Sequence, residues 1–352
     1  MSPTEIFLLV FSIVLVVASL MPLIKNEYWV FRVFDYPRLQ KFTATLCCIG
    51  LLLFFYDSRQ AFPMLLPSVM TANLLYLGYQ IVPFTLFGKK QVLRATANSP
   101  EKSISIIIAN VYQDNDNCVG CLDEVRRANP DIALFLETDS KWAEYLDELK
   151  DDFPYSVLVP LENTYGMLLY SKLELKDSEV KYLVESDIPS IHTTVLLRNG
   201  QPIQLYAVHP TPPVPKENPR STERDKELLL VADLARNCKN PVVVIGDLND
   251  VAWSYTTELF LKMSKLLDPR RGRGFYNSFH AHYWFMRFPL DHAFISEHLK
   301  LIEMRRLKNF DSDHFPIYIS LQFDPKAAAQ QEQELKPDAE DIEIANEKKA
   351  AV

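Results

Sequence analysis

Hydrophobic and polar positions divide the chain into three stretches with different rhythms. In the first, residues 6–24 (IFLLVFSIVLVVASLMPLI) run without a charge, and two more apolar runs follow at residues 42–56 and 61–87. About 20 apolar residues cross a hydrocarbon core as a helix, so residues 1–94 are predicted to form a membrane segment with about three transmembrane helices. A cleaved signal peptide needs a basic start and a small-x-small site, and neither precedes Lys25. Between the first two runs lies YWVFRVFDYPRLQ (28–40), whose aromatics and cations suit a membrane interface.

From residue 95 the runs shorten. SISIIIA (103–109) predicts a strand that ends at Asn110, and DIALFL (131–136) a strand that ends at Glu137. Residues 119–128 have helical character and stop at Asn129-Pro130, while KWAEYLDELK (141–150) has the period of an amphipathic helix. Residues 166–170 read as a strand, and residues 190–197 and 202–208 as a hairpin about Asn199-Gly200. A Pro-rich loop (209–219), a helix (222–238) and a buried strand (241–245) complete the order. Hairpins mixed with βα units predict a two-sheet α/β sandwich rather than a doubly wound parallel sheet. That catalytic domain is expected over residues 95–323. The tail, 324–352, is rich in Ala, Gln, Glu and Lys and is expected to be disordered or a solvated helix.

Charge follows the same partition. The 352-residue chain has a net charge of −8 and is 48% hydrophobic, enough for a sizeable core. Residues 1–94 carry eight Lys/Arg against four Asp/Glu and the tail four against eight, which leaves the middle domain strongly acidic. Acidity argues against non-specific binding of nucleic acid, which needs many cations. Positive-inside counting on Lys25, Arg32, Arg38 and Lys41 places the domain and that connection in the cytoplasm. Five cysteines imply no disulfide framework, and Cys118-x-x-Cys121 lacks the second pair that a zinc site needs.

The chemistry lies at strand ends. VVVIGDLND delivers Asp247 and Asn249, PLDHAF delivers Asp291, and DSDHFP delivers Asp313 and His314. Each motif alone is ordinary, since Asp and Asn are common turn formers. Together they put carboxylate, amide and imidazole where an α/β fold presents polar groups to a cleft, the pattern of metal-assisted hydrolysis. Asp250 adds a charge beside them. Arg270, Arg271 and Arg273 read as a solvated loop, with phosphate steering as the alternative, and His280-x-His282 as a structural or substrate loop.

In order, Asn110, Glu137, GMLLYSK, His209-Pro, GDLND, LDHAF and SDHFP resemble the endonuclease/exonuclease/phosphatase superfamily over about residues 100–323. The membrane preface is similar to bacterial membrane-attached members, which implies an integral inner-membrane protein. The resemblance implies a deoxyribonuclease-like four-layer sandwich and cleavage of a phosphate ester by water with Mg²⁺ or Mn²⁺. It makes Glu137, Asn110 and Asp313 metal ligands and His314 the general base, oriented by Asp291. Asp247 would orient the nucleophile or exchange its proton. Asn249 and His209 would bind the scissile phosphate, His209 as imidazolium. The substrate would be lipid-linked or nucleic acid, with the bilayer as the other partner. A catalytically weak phosphate-binding module is the alternative outside the enzymes, and no protein partner is inferable.

Overall fold

A computed structural model describes residues 3–54, 65–97, 99–327 and 333–351. In chain order the strands are β1 (Ser103–Asn110), β2 (Ile132–Leu136), β3 (Tyr155–Val159), β4 (Met167–Ser171), β5 (Leu175–Lys181) and β6 (Ser190–Leu196). They continue as β7 (Pro202–Ala207), β8 (Val242–Asp247), β9 (Asp291–Ile295), β10 (Leu299–Arg306) and β11 (Ile317–Phe323). Helices α1 (Pro3–Leu20), α2 (Trp29–Arg32), α3 (Arg38–Phe54) and α4 (Leu65–Ile81) precede the first strand. Helices α5 (Cys118–Ala128), α6 (Ser140–Tyr145), α7 (Thr222–Asn237), α8 (Tyr255–Ser264) and α9 (Ala339–Ala350) follow.

Strands apolar on both faces need cover on both sides. The chain supplies it by stacking a six-stranded sheet, β10-β11-β1-β2-β4-β3, on a five-stranded one, β5-β6-β7-β8-β9. Side chains alternate along each strand. Thus Ile104, Ile106 and Ile108 of β1 point to the middle of the sandwich with Leu205, Val243 and Ile245 from the other sheet. Ile107 and Ala109 face outward against Cys121 and Val125 of α5 and Trp142 of α6. On the opposite flank, Leu228 and Ala232 of α7 and Phe260 of α8 cover Val242 and Val244. The result is the expected two-sheet sandwich in four layers. The five cysteines are free thiols.

Among the described residues, two helical stretches are long and apolar enough to cross a membrane, Pro3–Leu23 and Leu65–Phe84. Helix α3, expected as a third span, runs 17 described residues and opens with Arg38 and Lys41 buried. Lys41 Nζ donates to the carbonyls of Ala18 (3.0 Å) and Phe34 (2.7 Å), closing the end of α1. Residues 55–64, where the second apolar run ends and the third begins, lie outside the described residues. The connection 25–37 is docked on the sandwich, with Trp29 N donating to Pro219 O (2.9 Å) and Trp253 Nε1 to Asp35 O (2.9 Å). Where disorder or a solvated helix was expected in the tail, α9 is capped by Asp338 and seated on α7 and α8. Lys348 there pairs with Asp225 (2.8 Å) and Glu27 (2.6 Å).

Candidate active site

Topology brings the strand ends together. β1 and β2 are parallel, so Asn110 and Glu137 leave the sheet at the same edge. β11 is antiparallel to β1, so its entrance, with Asp313 and His314, lies at that edge too. In the second sheet β7 and β8 are parallel and deliver His209 and Asp247. β9 runs antiparallel to β8, with Asp291 directly opposite Asp247. Residues opposite each other in a ladder share one face. Left-handed backbone at Glu137 (φ 59°) and Asn249 (φ 50°) turns the chain sharply at two of these ends, a conformation uncommon outside glycine that clusters at functional sites.

The side chains form one connected group. His314 Nδ1 donates to Asp291 Oδ2 at 2.8 Å, and its Nε2 lies 3.5 Å from Asp247 Oδ2. Asn110 Nδ2 donates to Glu137 Oε1 (2.7 Å) and Asp247 Oδ2 (3.2 Å), while Asn110 Oδ1 accepts from Tyr112 N (3.1 Å). Asn110 therefore braces two carboxylates with its amide nitrogen. Asn249 N donates to Asp247 Oδ1 (2.9 Å), and Asn249 Nδ2 to Pro210 O (2.9 Å). Ser312 Oγ donates to Asn110 O (2.8 Å), which ties the His314 loop to the end of β1. Ser278 Oγ accepts from Asp291 N (3.1 Å) and secures the start of β9.

Burial and charge pull these groups in opposite directions. Burial pushes Glu137 up to about 7, against the hydrogen bond from Asn110. Burial also raises Asp291, against the attraction of His314. For His314, burial acts downward, but Asp291 and Asp247 outweigh it and lift the imidazole to about 10. His209 has burial as its leading influence and falls to about 4, so it is neutral rather than the imidazolium expected from the sequence. A bound phosphate's negative charge would raise it again.

A hard divalent cation fits this chemistry. Oxygen donors suit Mg²⁺ and Mn²⁺, and the carboxylate of Glu137 lies within electrostatic reach of that of Asp313. Asp291 Oδ1 and Asp313 Oδ1 are buried without a partner, and an unpaired buried carboxylate oxygen gains from a nearby positive charge. Asp247, Asp291 and His314 also place ligand atoms within 4.8 Å of one another. We read that trio as a proton-handling group, because Nδ1 of His314 is already committed to Asp291.

Other expectations change on inspection. Arg270 is buried, paired with Asp268 (2.9 Å), and donates to Nδ1 of His292 (2.6 Å), so it is not on a solvated loop. His292 in turn donates from Nε2 to Asp250 O (2.8 Å). Asp250 is itself buried against Arg224 (3.2 Å) and the hydroxyl of Ser254 (2.7 Å), so its charge is spent inside the protein. His280 accepts from His282 N (3.3 Å) and meets the Tyr283 ring edge-on, with centroids 4.6 Å apart. Two residues that sequence reasoning missed touch the site loop. Tyr36 Oη and Arg224 Nη1 both donate to Asn249 O, at 2.9 and 2.7 Å. Neither sits in a motif, and only the fold brings them there.

A layered α/β sandwich with clustered carboxylates and a carboxylate-backed histidine at one strand edge defines a phosphoester-hydrolase architecture. The endonuclease/exonuclease/phosphatase family model matches residues 109–314, and the chain belongs to that family. Solved structures of the same fold include the human Nocturnin catalytic domain with bound sulfate anion, 18% identical, covering 66% of this chain and 96% of that one at a TM-score of 0.51. Another is a functionally unknown conserved protein from Enterococcus faecalis V583, 14% identical, covering 63% and 100% at a TM-score of 0.51. A third is the endonuclease/exonuclease/phosphatase from Bacteroides vulgatus, 15% identical, covering 63% and 99%, also at 0.51. At these identities the similarity is one of fold. No curated protein matches the chain.

Proposed function

We propose that this chain is a membrane-anchored, divalent-metal-dependent phosphoesterase that cleaves a phosphodiester by direct attack of water. The observation that carries this reading is His314, held by Asp291 at 2.8 Å with its second nitrogen facing Asp247. In this reading His314 takes the proton from the attacking water, and Asp291 fixes the tautomer and supports the imidazolium. Asp247 orients the water. Asn249 and neutral His209 donate to phosphoryl oxygens, where charge builds. Glu137 and Asp313 would hold Mg²⁺ or Mn²⁺, which would supply Lewis-acid stabilisation of the phosphate, while Asn110, expected as a further ligand, braces Glu137 and Asp247 with its amide nitrogen.

The proposed organisation is a membrane segment over residues 1–94, the catalytic domain over 95–323 and the tail over 324–352. Two helical stretches of spanning length support anchorage in a bilayer, and positive-inside counting supports a cytoplasmic domain at a bacterial inner membrane. A lipid-linked phosphoester is the favoured substrate. Tyr283, Trp284, Phe285 and Met286 stand exposed on the loop after His280, and Gln40 at the start of α3 donates to Phe285 O (3.0 Å). Aromatics beside a membrane helix suit the headgroup layer. The full chain, offered phospholipids, a lipid monophosphate, plasmid DNA and RNA with Mg²⁺ or Mn²⁺, is expected to turn over a lipid fastest. Preference for nucleic acid, with a steep loss at higher salt, would replace the lipid reading with a nuclease.

A further inference from the structure

The membrane segment does more than tether the domain. Its first connection, between α1 and α3, reaches the catalytic loop that follows β8. Tyr36 is the contact. Its hydroxyl donates to Asn249 O at 2.9 Å, beside the 2.7 Å bond from Arg224 to the same oxygen. The Tyr36 ring packs edge-on against Phe288 (centroids 5.5 Å apart, planes at 87°), three residues before Asp291. One residue earlier, Asp35 O accepts from Trp253 Nε1, just beyond the loop. The connection is pinned from below as well, where Arg32 and Lys348 approach buried Asp225 at 3.7 and 2.8 Å.

These bonds converge on a residue that needs them. Asn249 sits at φ 50°, a left-handed conformation that asparagine tolerates better than most L residues, and its orientation there is fixed by the bonds made to its backbone. Its amide nitrogen is oriented by Pro210 O, which leaves the second N–H for a ligand. Asn249 O is the point at which its backbone is clamped, and one of the two donors comes from the membrane segment. We propose that Tyr36 is a positioning residue, which sets the Asn249 backbone and thereby aims the Asn249 amide at the phosphate. Burial and the nearby Asp250 carboxylate raise the phenol above its ordinary range, so Tyr36 is a donor at every physiological pH.

This inference rests on the phosphoesterase reading, and its test separates the two. The protein is the full chain in detergent micelles, wild type against Tyr36→Phe, a change that keeps the ring and its packing on Phe288. With a chromogenic aryl phosphodiester and Mg²⁺, kcat is expected to fall about tenfold with little change in KM, because small misplacements near the reacting centre cost rate. The pH profile is expected to keep its shape, since its limbs belong to other groups. Amide exchange is expected to quicken in residues 247–252 and to stay unchanged in β9 and α7. If the wild type hydrolyses nothing, the phosphoesterase reading fails, and the exchange result alone decides whether Tyr36 sets the loop. Unchanged exchange in 247–252, or exchange that quickens equally in α7 and β9, overturns the positioning role. So does an unchanged kcat in an active protein.

Discussion

At the scale of single residues, the site is an argument about where protons sit. His314 has a pKa near 10 in the folded protein because Asp291 and Asp247 outweigh the effect of burial. A base that is to accept a proton must first be neutral, so cation binding near these carboxylates and deprotonation of His314 belong to one event. Asp291→Asn removes the larger of the two raising charges. It is expected to lower kcat/KM by roughly 10²- to 10⁴-fold, the range seen when the orienting carboxylate of a catalytic histidine is lost. It is also expected to move the limb of the pH-rate profile due to His314 toward lower pH. A profile whose limb stays in place would mean that Asp291 does not set this histidine. Asp291 and His314 were both legible in LDHAF and SDHFP. The neutrality of His209 was not, because burial is a property of the fold.

At the scale of elements, the site depends on how closely strand ends approach each other. Gly246, in GDLND, lies at φ 144°, and a Cβ there would meet Val208 O at 1.8 Å. That oxygen is backbone and cannot move aside without parting β7 from β8. Gly246→Ala is therefore expected to destabilise the protein by about 2–4 kcal/mol, from backbone strain together with steric conflict. Thermal unfolding of the two proteins measures this, and an unchanged midpoint would contradict the close approach. Gly200, by contrast, is at φ 81° in an open turn, as the Asn-Gly signal for a hairpin suggests. Strand-ending motifs were readable because short continuous apolar runs stop abruptly at polar residues. Helix α9 was not, since Ala, Glu and Lys suit both a solvated and a docked helix. Its docking depends on Asp225 and Glu27, far away in sequence. Arg270 misled for the same reason, because His292, which its guanidinium meets, lies 22 residues further along the chain.

At the scale of the whole molecule, the N-terminal helical segment, the sandwich and the tail helix meet around Asp225. Residues 25–38 and α9 both contribute cations there. An excised domain starting at residue 95 would lose Tyr36, Trp29 and the Phe84 ring that packs on Trp253 (5.8 Å), so the full chain is the proper object of experiment. Linkage gives a global signature of the site. Glu137 keeps its proton to about pH 7 in the fold but loses it near its ordinary value of 4.5 when unfolded. Between those values the folded state binds more protons, so stability falls as pH rises. His314, also raised, contributes stability that is present below about 6.5 and lost as pH rises through about 10. With chelator present, the melting midpoint is thus expected to decline from pH 5 upward, and Mg²⁺ or Mn²⁺ to restore most at pH 8, where Glu137 is free to bind. Stabilisation by metal that is equal at pH 5 and pH 8 would contradict Glu137 as a ligand. The most direct test of the central claim is hydrolysis by the full-length protein, wild type against His314→Ala, across phosphodiester and phospholipid substrates with and without Mg²⁺ or Mn²⁺. Turnover is expected to require the metal and to fall by about 10²- to 10⁴-fold in the variant, the contribution of a general base. Metal-independent turnover, or a variant as fast as the wild type, would contradict that claim.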